Sequence, residues 1–251
     1  MRVFGVCKMS RLVGIVLAVL LVVGLSVGTA IPSARASGTV RKLPVYSVED
    51  SAKIAITFDA SWGAERTKGI VDILVSNNVR ATFFLTGIWI DAYPDETKYI
   101  AEKGMEIGNH SQNHYSMSKM SADAIRNEIE LVNTKVAALT NGTPVVFRAP
   151  FGDYSNTLVD AVESMDMRCI QWDVDSLDWK GLSAKVLIER VVGKTKGGSI
   201  ILCHNNSEHI LEALPTILET LGKQYTFVTV SELLSGKTGK IDHTGKLHEM
   251  P

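Results

Sequence analysis

Cysteine is scarce in this chain: three among 251 residues, at positions 7, 169 and 203. A disulfide framework is excluded, because Cys7 stands before a long apolar run and only one pair remains. Cys169 and Cys203 each lie inside an apolar run, which suits two buried reduced thiols, or one bridge if the compartment is oxidising. Net positive charge is also missing. The first 36 residues hold four of the 26 basic residues and no acid, leaving 22 basic against 27 acidic, a net of −5. That balance argues against a surface for nucleic acid or anionic membrane. No internal sequence repeat is visible.

The absence of acids from the first 36 residues has a counterpart in what is there. Arg2, Lys8 and Arg11 precede a mostly apolar, uncharged run from Leu12 to Pro32. This is the pattern of an export signal, with Ala34 and Ala36 in the small-x-small arrangement of a cleavage site, or of an uncut membrane anchor. The expected organisation is therefore a signal peptide or anchor at 1–36, a linker at 37–52, one domain at 53–235 and a flexible tail at 236–251. The protein is expected to be secreted or membrane-anchored in the cell envelope, to touch membrane only through its N-terminal segment, and to be a monomer. His243 and His248 fall in the tail and are expected to be solvated.

Within the domain, apolar β-rich runs alternate with stretches of helical period. The runs are KIAITF (53–58), RATFFLTG (80–87), MEIGNH (105–110), PVVFRAP (144–150), MRCIQWD (167–173), SIILCHN (199–205) and YTFVTV (225–230). Helices are predicted around Ile70 to Leu74, around Tyr99 and Ile100, from an N-cap at Ser121 through Leu139, and near 156–165, 183–194 and 208–223. Nearly continuous apolar strands separated by helices imply an α/β fold with a parallel sheet of about seven strands, closed as a barrel or open and doubly wound.

Reactive side chains are placed non-randomly on this pattern. Asp59, His110, Arg148 and His204 each stand at or just past the C-terminal end of a different apolar run, and Asp173 and Asp175 stand at and just past the end of a fifth. In parallel α/β folds those ends converge on one site. His110 and His114, four apart in HSQNH, are candidate ligands for a zinc-like ion.

Five ordered motifs give the chain a family resemblance. TFDASWG (57–63), HSQNH (110–114), RAPFG (148–152), WDVDSLDW (172–179) and LCH (202–204) resemble the motifs of the polysaccharide deacetylases of carbohydrate esterase family 4, the NodB-homology domain. The first motif is similar to that of a sporulation-associated branch. The resemblance implies a distorted (β/α) barrel that removes N-acetyl groups from a peptidoglycan or chitin-like glycan. It implies Asp59 as base, His204 as acid, Asp178 as the partner of His204, and Arg148 as the partner of Asp59. His110 and His114 would hold a divalent metal, zinc or cobalt. The backbone N–H of Phe151 would meet the oxyanion, and Leu202 would floor the acetyl pocket or belong to the core. Trp172 and Trp179 would wall the sugar pocket or pack the barrel. Asp173 and Asp175 are expected to structure loops.

The chain departs from the family pattern at one position. The family has a second acid after Asp59 as the third metal ligand, and here it is Ala60. Catalytic zinc sites ordinarily have three protein ligands. Glu65 could replace the missing acid, Asp59 could move onto the metal, or two histidines could hold it with water. The alternative is a catalytically impaired glycan-binding or scaffolding protein on the same fold.

Overall fold

The computed structural model describes residues 40–249, so the expected targeting segment, 1–36, lies outside the described residues. The sheet begins from Lys53–Ala60, called β2 because a short strand, β1 (Ser47–Val48), precedes it. Seven of the eight β2 residues are buried. The two-residue period of the strand separates its side chains: Ile54, Ile56, Phe58 and Ala60 enter the apolar layer shared with the helices, while Ala55 packs with a second, interior cluster. Asp59 is therefore on the face opposite Ala60.

The chain continues through α1 (Thr67–Ser76), β3 (Thr82–Leu85), α2 (Gly87–Ala92), α3 (Pro94–Glu102) and β4 (Glu106–Asn109). Then come α4 (Ala122–Thr140), β5 (Val146–Phe147), α5 (Asn156–Glu163), β6 (Arg168–Cys169), β7 (Val174–Asp175) and α6 (Ala184–Lys194). The last elements are β8 (Ile200–His204), α7 (Ile210–Gly222), β9 (Thr226–Phe227), α8 (Val230–Leu234) and β10 (Lys246–Leu247). The main sheet runs β6-β5-β4-β3-β2-β8-β7, with every neighbouring pair parallel. β9 pairs with Lys53 and Ile54 of β2, and β3 pairs with Thr57 to Ala60. These seven parallel strands, with β9 attached at β2, curl into a half-barrel: the parallel sheet is what the apolar runs imply, and its curl agrees with the distorted barrel that the resemblance implies.

The helices form where their periodicity places them. In α4 the buried residues Ile125, Ile129, Val132 and Val136 recur at helical spacing, Ser121 caps the N-terminus by accepting from Ala124 N–H, and Asn141 ends it at φ 58°. β7 lies in a stretch read as loop, and α2 and α8 are helices for which no periodic pattern is long enough to be seen. Cys169 and Cys203 are buried and unbridged, on strands that are not neighbours. Burial pushes both thiols up.

Two boundaries differ from expectation. The stretch assigned as linker is part of the barrel: Val45 N–H donates to Cys169 O (2.9 Å), Gln171 N–H donates to Val45 O (2.7 Å), and Val48 N–H donates to Gly198 O (2.9 Å). Residues 45–48 thus pass from β6 to the start of β8. The stretch assigned as flexible tail is also held, because β10 pairs in parallel with β1 and Leu247 is buried beside Val45 and Val48. His248 keeps 37% of its side chain exposed, and its ring lies between Glu49 (3.1 Å) and Asp242 (2.9 Å). Lys237 is buried, paired with Glu249 and 3.7 Å from Asp50. A sparse pattern of Gly, Lys and His concealed one apolar anchor, Leu247, and these local charge pairs.

Candidate active site

Asp59 is the last inward-facing residue of β2, and its carboxylate is fixed from behind. Arg148, fully buried, donates from Nη1 to Asp59 Oδ1 (2.7 Å) and to Thr57 Oγ1 (2.8 Å), and from Nη2 to Gln171 O (3.1 Å). Its guanidinium lies 4.0 Å from the ring centre of Phe84 and 5.5 Å from that of Trp172. A buried cation with a bonded carboxylate and an aromatic face has compensation for its lost hydration. Asp59 Oδ2 remains, 3.5 Å from His110 Nε2.

His110 follows β4. Its Nδ1 donates to Arg148 O (2.8 Å), which fixes the tautomer and leaves Nε2 as an acceptor or ligand. His114 returns to it through a loop in which Ser111 and His114 both take positive φ, 67° and 55°. The two imidazole rings meet edge to face at 4.9 Å. Behind them, Asn113 donates from its backbone and side chain to Glu128 of α4 (2.9 and 2.7 Å).

A second carboxylate–imidazole pair enters from β7 and β8. Asp178, in the turn after β7, accepts from His204 Nδ1 at Oδ1 (2.7 Å) and from His204 N–H at Oδ2 (2.8 Å). Asp59, His110, His114, Phe151, Trp172, Asp178, Trp179, Leu202 and His204 all line one cleft of about 750 Å³. Arg148 does not line it and lies behind Asp59. Phe151 holds a left-handed backbone, φ 59°, between Pro150 and Gly152, and its ring is exposed. Asp173 structures a loop, accepting from Ile200 N–H and Ser199 Oγ, and Asp175 accepts from Leu177 N–H.

The electrostatics divide the two pairs. Burial opposes the charge on Asp59, but Arg148, with His110 and His204, holds its carboxyl below the ordinary range. Burial also works against the charge on His204, and the Asp178 carboxylate overcomes it, so this imidazole is raised above its ordinary value. Burial lowers His110, and burial with the neighbouring His110 pushes His114 down to about 4. The cleft therefore combines an ionised carboxylate, an imidazole biased toward its acid form and two neutral imidazoles.

Neutral imidazoles fit a divalent cation, and His114 Nδ1 is a buried atom with no partner in the chain. A third donor is missing. Ala60 is fully buried in the apolar layer with Ile70, Leu85 and Trp89. Glu65 does not line the cleft, and the backbone around it together with Asn206 holds its carboxyl below the ordinary range. Among the described residues no group of three His, Cys, Asp or Glu side chains is arranged to hold an ion. The donor set fits a weakly held cation better than a closed three-ligand site. Ser61, Trp62, Asn205 and Glu208 also line the cleft. Sequence reasoning missed them, although Ser61 and Trp62 lie inside the first motif.

Comparison with known proteins agrees with this architecture. The sequence pattern of the polysaccharide deacetylase family matches residues 47–170. A peptidoglycan-N-acetylglucosamine deacetylase of Bacillus cereus is 34% identical over 73% of this chain and 69% of its own length. The uncharacterized protein YlxY of Bacillus subtilis is also 34% identical, over 76% of this chain, which spans only 60% of that relative. Among solved structures, BA3943 of Bacillus anthracis, described as a carbohydrate esterase family 4 pseudoenzyme, superposes with a TM-score of 0.71 at 32% identity, over 84% of this chain and 72% of that one. A mutant of BA3943 is described as having restored enzymatic activity. With ordered motifs, a curled parallel sheet and a cleft built at its C-terminal ends, this chain belongs to the polysaccharide deacetylase family, among the members of carbohydrate esterase family 4.

Proposed function

We propose that the protein is an extracytoplasmic hydrolase that removes N-acetyl groups from a peptidoglycan-type glycan. The observation that carries this reading is the pairing of two complementary acid–base groups in one cleft, Asp59 with Arg148 and His204 with Asp178. Amide hydrolysis needs a base for the attacking water, donors for the oxyanion and an acid for the departing amine. Asp59 is the base: Oδ1 is held by Arg148, and Oδ2 is left to take the water's proton. His204 is the acid, its Nδ1 held by Asp178 so that Nε2 can deliver a proton to the amine nitrogen. The Phe151 N–H meets the oxyanion, Leu202 meets the acetyl methyl, and Trp172 and Trp179 bound the sugar. His110 and His114 would hold a divalent cation, zinc or cobalt, which when bound lowers the pKa of water and polarises the carbonyl. The N-terminal segment would carry the domain across or to the membrane, where the polymer lies.

A second reading is favoured by Ala60 together with the likeness to a pseudoenzyme: the cleft binds glycan without turning it over. Acetate release from acetylated chitin oligomers and from peptidoglycan, with and without added zinc or cobalt, separates the two. Release that Asp59→Asn abolishes while glycan binding persists supports the hydrolase. Binding without release at saturating metal supports the second reading.

A further inference from the structure

Trp62 is 65% exposed, yet the backbone around it is held tightly. Gly63, at φ +66°, gives its carbonyl to Trp89 Nε1 (2.7 Å) and to Asn205 Nδ2 (2.8 Å). A Cβ on Gly63 would stand 2.2 Å from Asn206 Nδ2, so the loops after β2 and β8 close against each other there. Arg66 Nη1 adds hydrogen bonds to Asn206 O (3.3 Å) and Oδ1 (3.2 Å). A large apolar ring on an anchored loop exposes surface that folding would otherwise bury, which marks a contact site.

The ring is not isolated. Its edge meets His114 at 4.9 Å, and Phe151, 69% exposed, meets the same imidazole at 4.5 Å. Trp62, His114 and Phe151 form a continuous aromatic lip, and Trp179, also exposed, lines the same cleft. One residue before Trp62, Ser61 is 8% exposed, lines the cleft, and has a buried Oγ with no hydrogen-bond partner. Buried hydroxyls are ordinarily satisfied, so this one is positioned for a group that the chain does not supply.

An apolar face beside an unspent hydroxyl is the chemistry that recognises a pyranose ring. Its axial C–H face packs on an aromatic ring, while its hydroxyls and acetamide require hydrogen bonds at the edge. A purely apolar partner would leave Ser61 Oγ unpaired, and a purely ionic one would gain nothing from the exposed indole. We propose that Trp62 and Ser61 are positioning residues of a sugar subsite: one hexosamine unit of the glycan stacks on Trp62 and accepts or donates a hydrogen bond at Ser61 Oγ. This rests on the glycan-cleft reading above and assigns a substrate contact to the segment in which the first motif departs from the family pattern.

The test is titration of the purified protein with the tetramer of N-acetylglucosamine, by calorimetry and by tryptophan fluorescence, for wild type, Trp62→Ala, Trp62→Phe and Ser61→Ala. The expected result is binding about tenfold weaker in Trp62→Ala, largely recovered in Trp62→Phe, and several-fold weaker in Ser61→Ala, with unchanged thermal melting. In acetate-release assays Trp62→Ala is expected to raise KM more than it lowers kcat. Wild-type binding that Trp62→Ala leaves unchanged overturns the subsite alone. A wild-type protein that binds neither the tetramer nor peptidoglycan fragments overturns the glycan-cleft reading and the subsite with it.

Discussion

The surroundings of Asp59 suit the base that the proposed reaction needs. Its carboxylate is buried, bonded to Arg148 and held below the ordinary carboxylate range, so its base form persists to low pH. Asp59→Asn keeps the shape and loses the base; acetate release is expected to fall about 10² to 10⁴-fold with glycan affinity within a few-fold of wild type. In the proposed reaction His204 sets the opposite limb. Because Asp178 raises its imidazole, the acid form is present below that raised value and is lost as pH rises through it. Removing the Asp178 carboxylate in Asp178→Asn leaves burial opposed only by the charges of Asp59 and Asp175, so the alkaline limb of the kcat profile is expected to move to lower pH. An unmoved limb would assign the acid to another group. Asp59 and His204 were legible as candidates because each follows or ends an apolar run, and runs of a parallel sheet end together; Asp178 was legible only through the motif resemblance. Ser61 and Trp62 were not legible as site residues, since neither titrates near neutral pH and nothing in their spacing says which face of the loop is open.

At the scale of elements, long periodic segments were read correctly, and so were the short strands inside apolar runs, whereas β1, β7, β10, α2 and α8 were not. α4 announced itself through Ile125, Ile129, Val132 and Val136 and a serine cap. β10 has two residues, and its partner β1 lies nearly 200 residues earlier, a pairing that no local pattern encodes. The energetic consequence is testable. Leu247 is 1% exposed against Val45 and Val48, so Leu247→Ala is expected to cost roughly 2–5 kcal/mol in denaturant unfolding. Gly198 has φ +81°, and a Cβ there would lie 1.9 Å from Val48 O. Gly198→Ala is thus expected to push residues 45–48 off β8 and to lower the thermal midpoint. A loose tail and a free linker would make both substitutions silent.

At the scale of the whole molecule, the curled parallel sheet brings side chains from Asp59 to His204 into one cleft, and it also decides what Ala60 can and cannot do. Asp59 and Ala60 are consecutive, but the strand turns one into the cleft and packs the other among apolar side chains. An acid introduced by Ala60→Asp would be costly there without a cation to pair with. The variant is expected to melt below wild type, and a midpoint equal to that of wild type would show that the new carboxylate escapes the apolar layer.

The most direct measurement is acetate released from N-acetylglucosamine oligomers and from peptidoglycan by the purified protein at saturating zinc or cobalt, beside Asp59→Asn and a glycan-binding titration of both. Turnover by the wild type that disappears in Asp59→Asn, with glycan binding retained, is the result the paired acid–base cleft requires. Glycan bound equally by both and no acetate from either would contradict catalysis and leave a cleft that only holds its polymer.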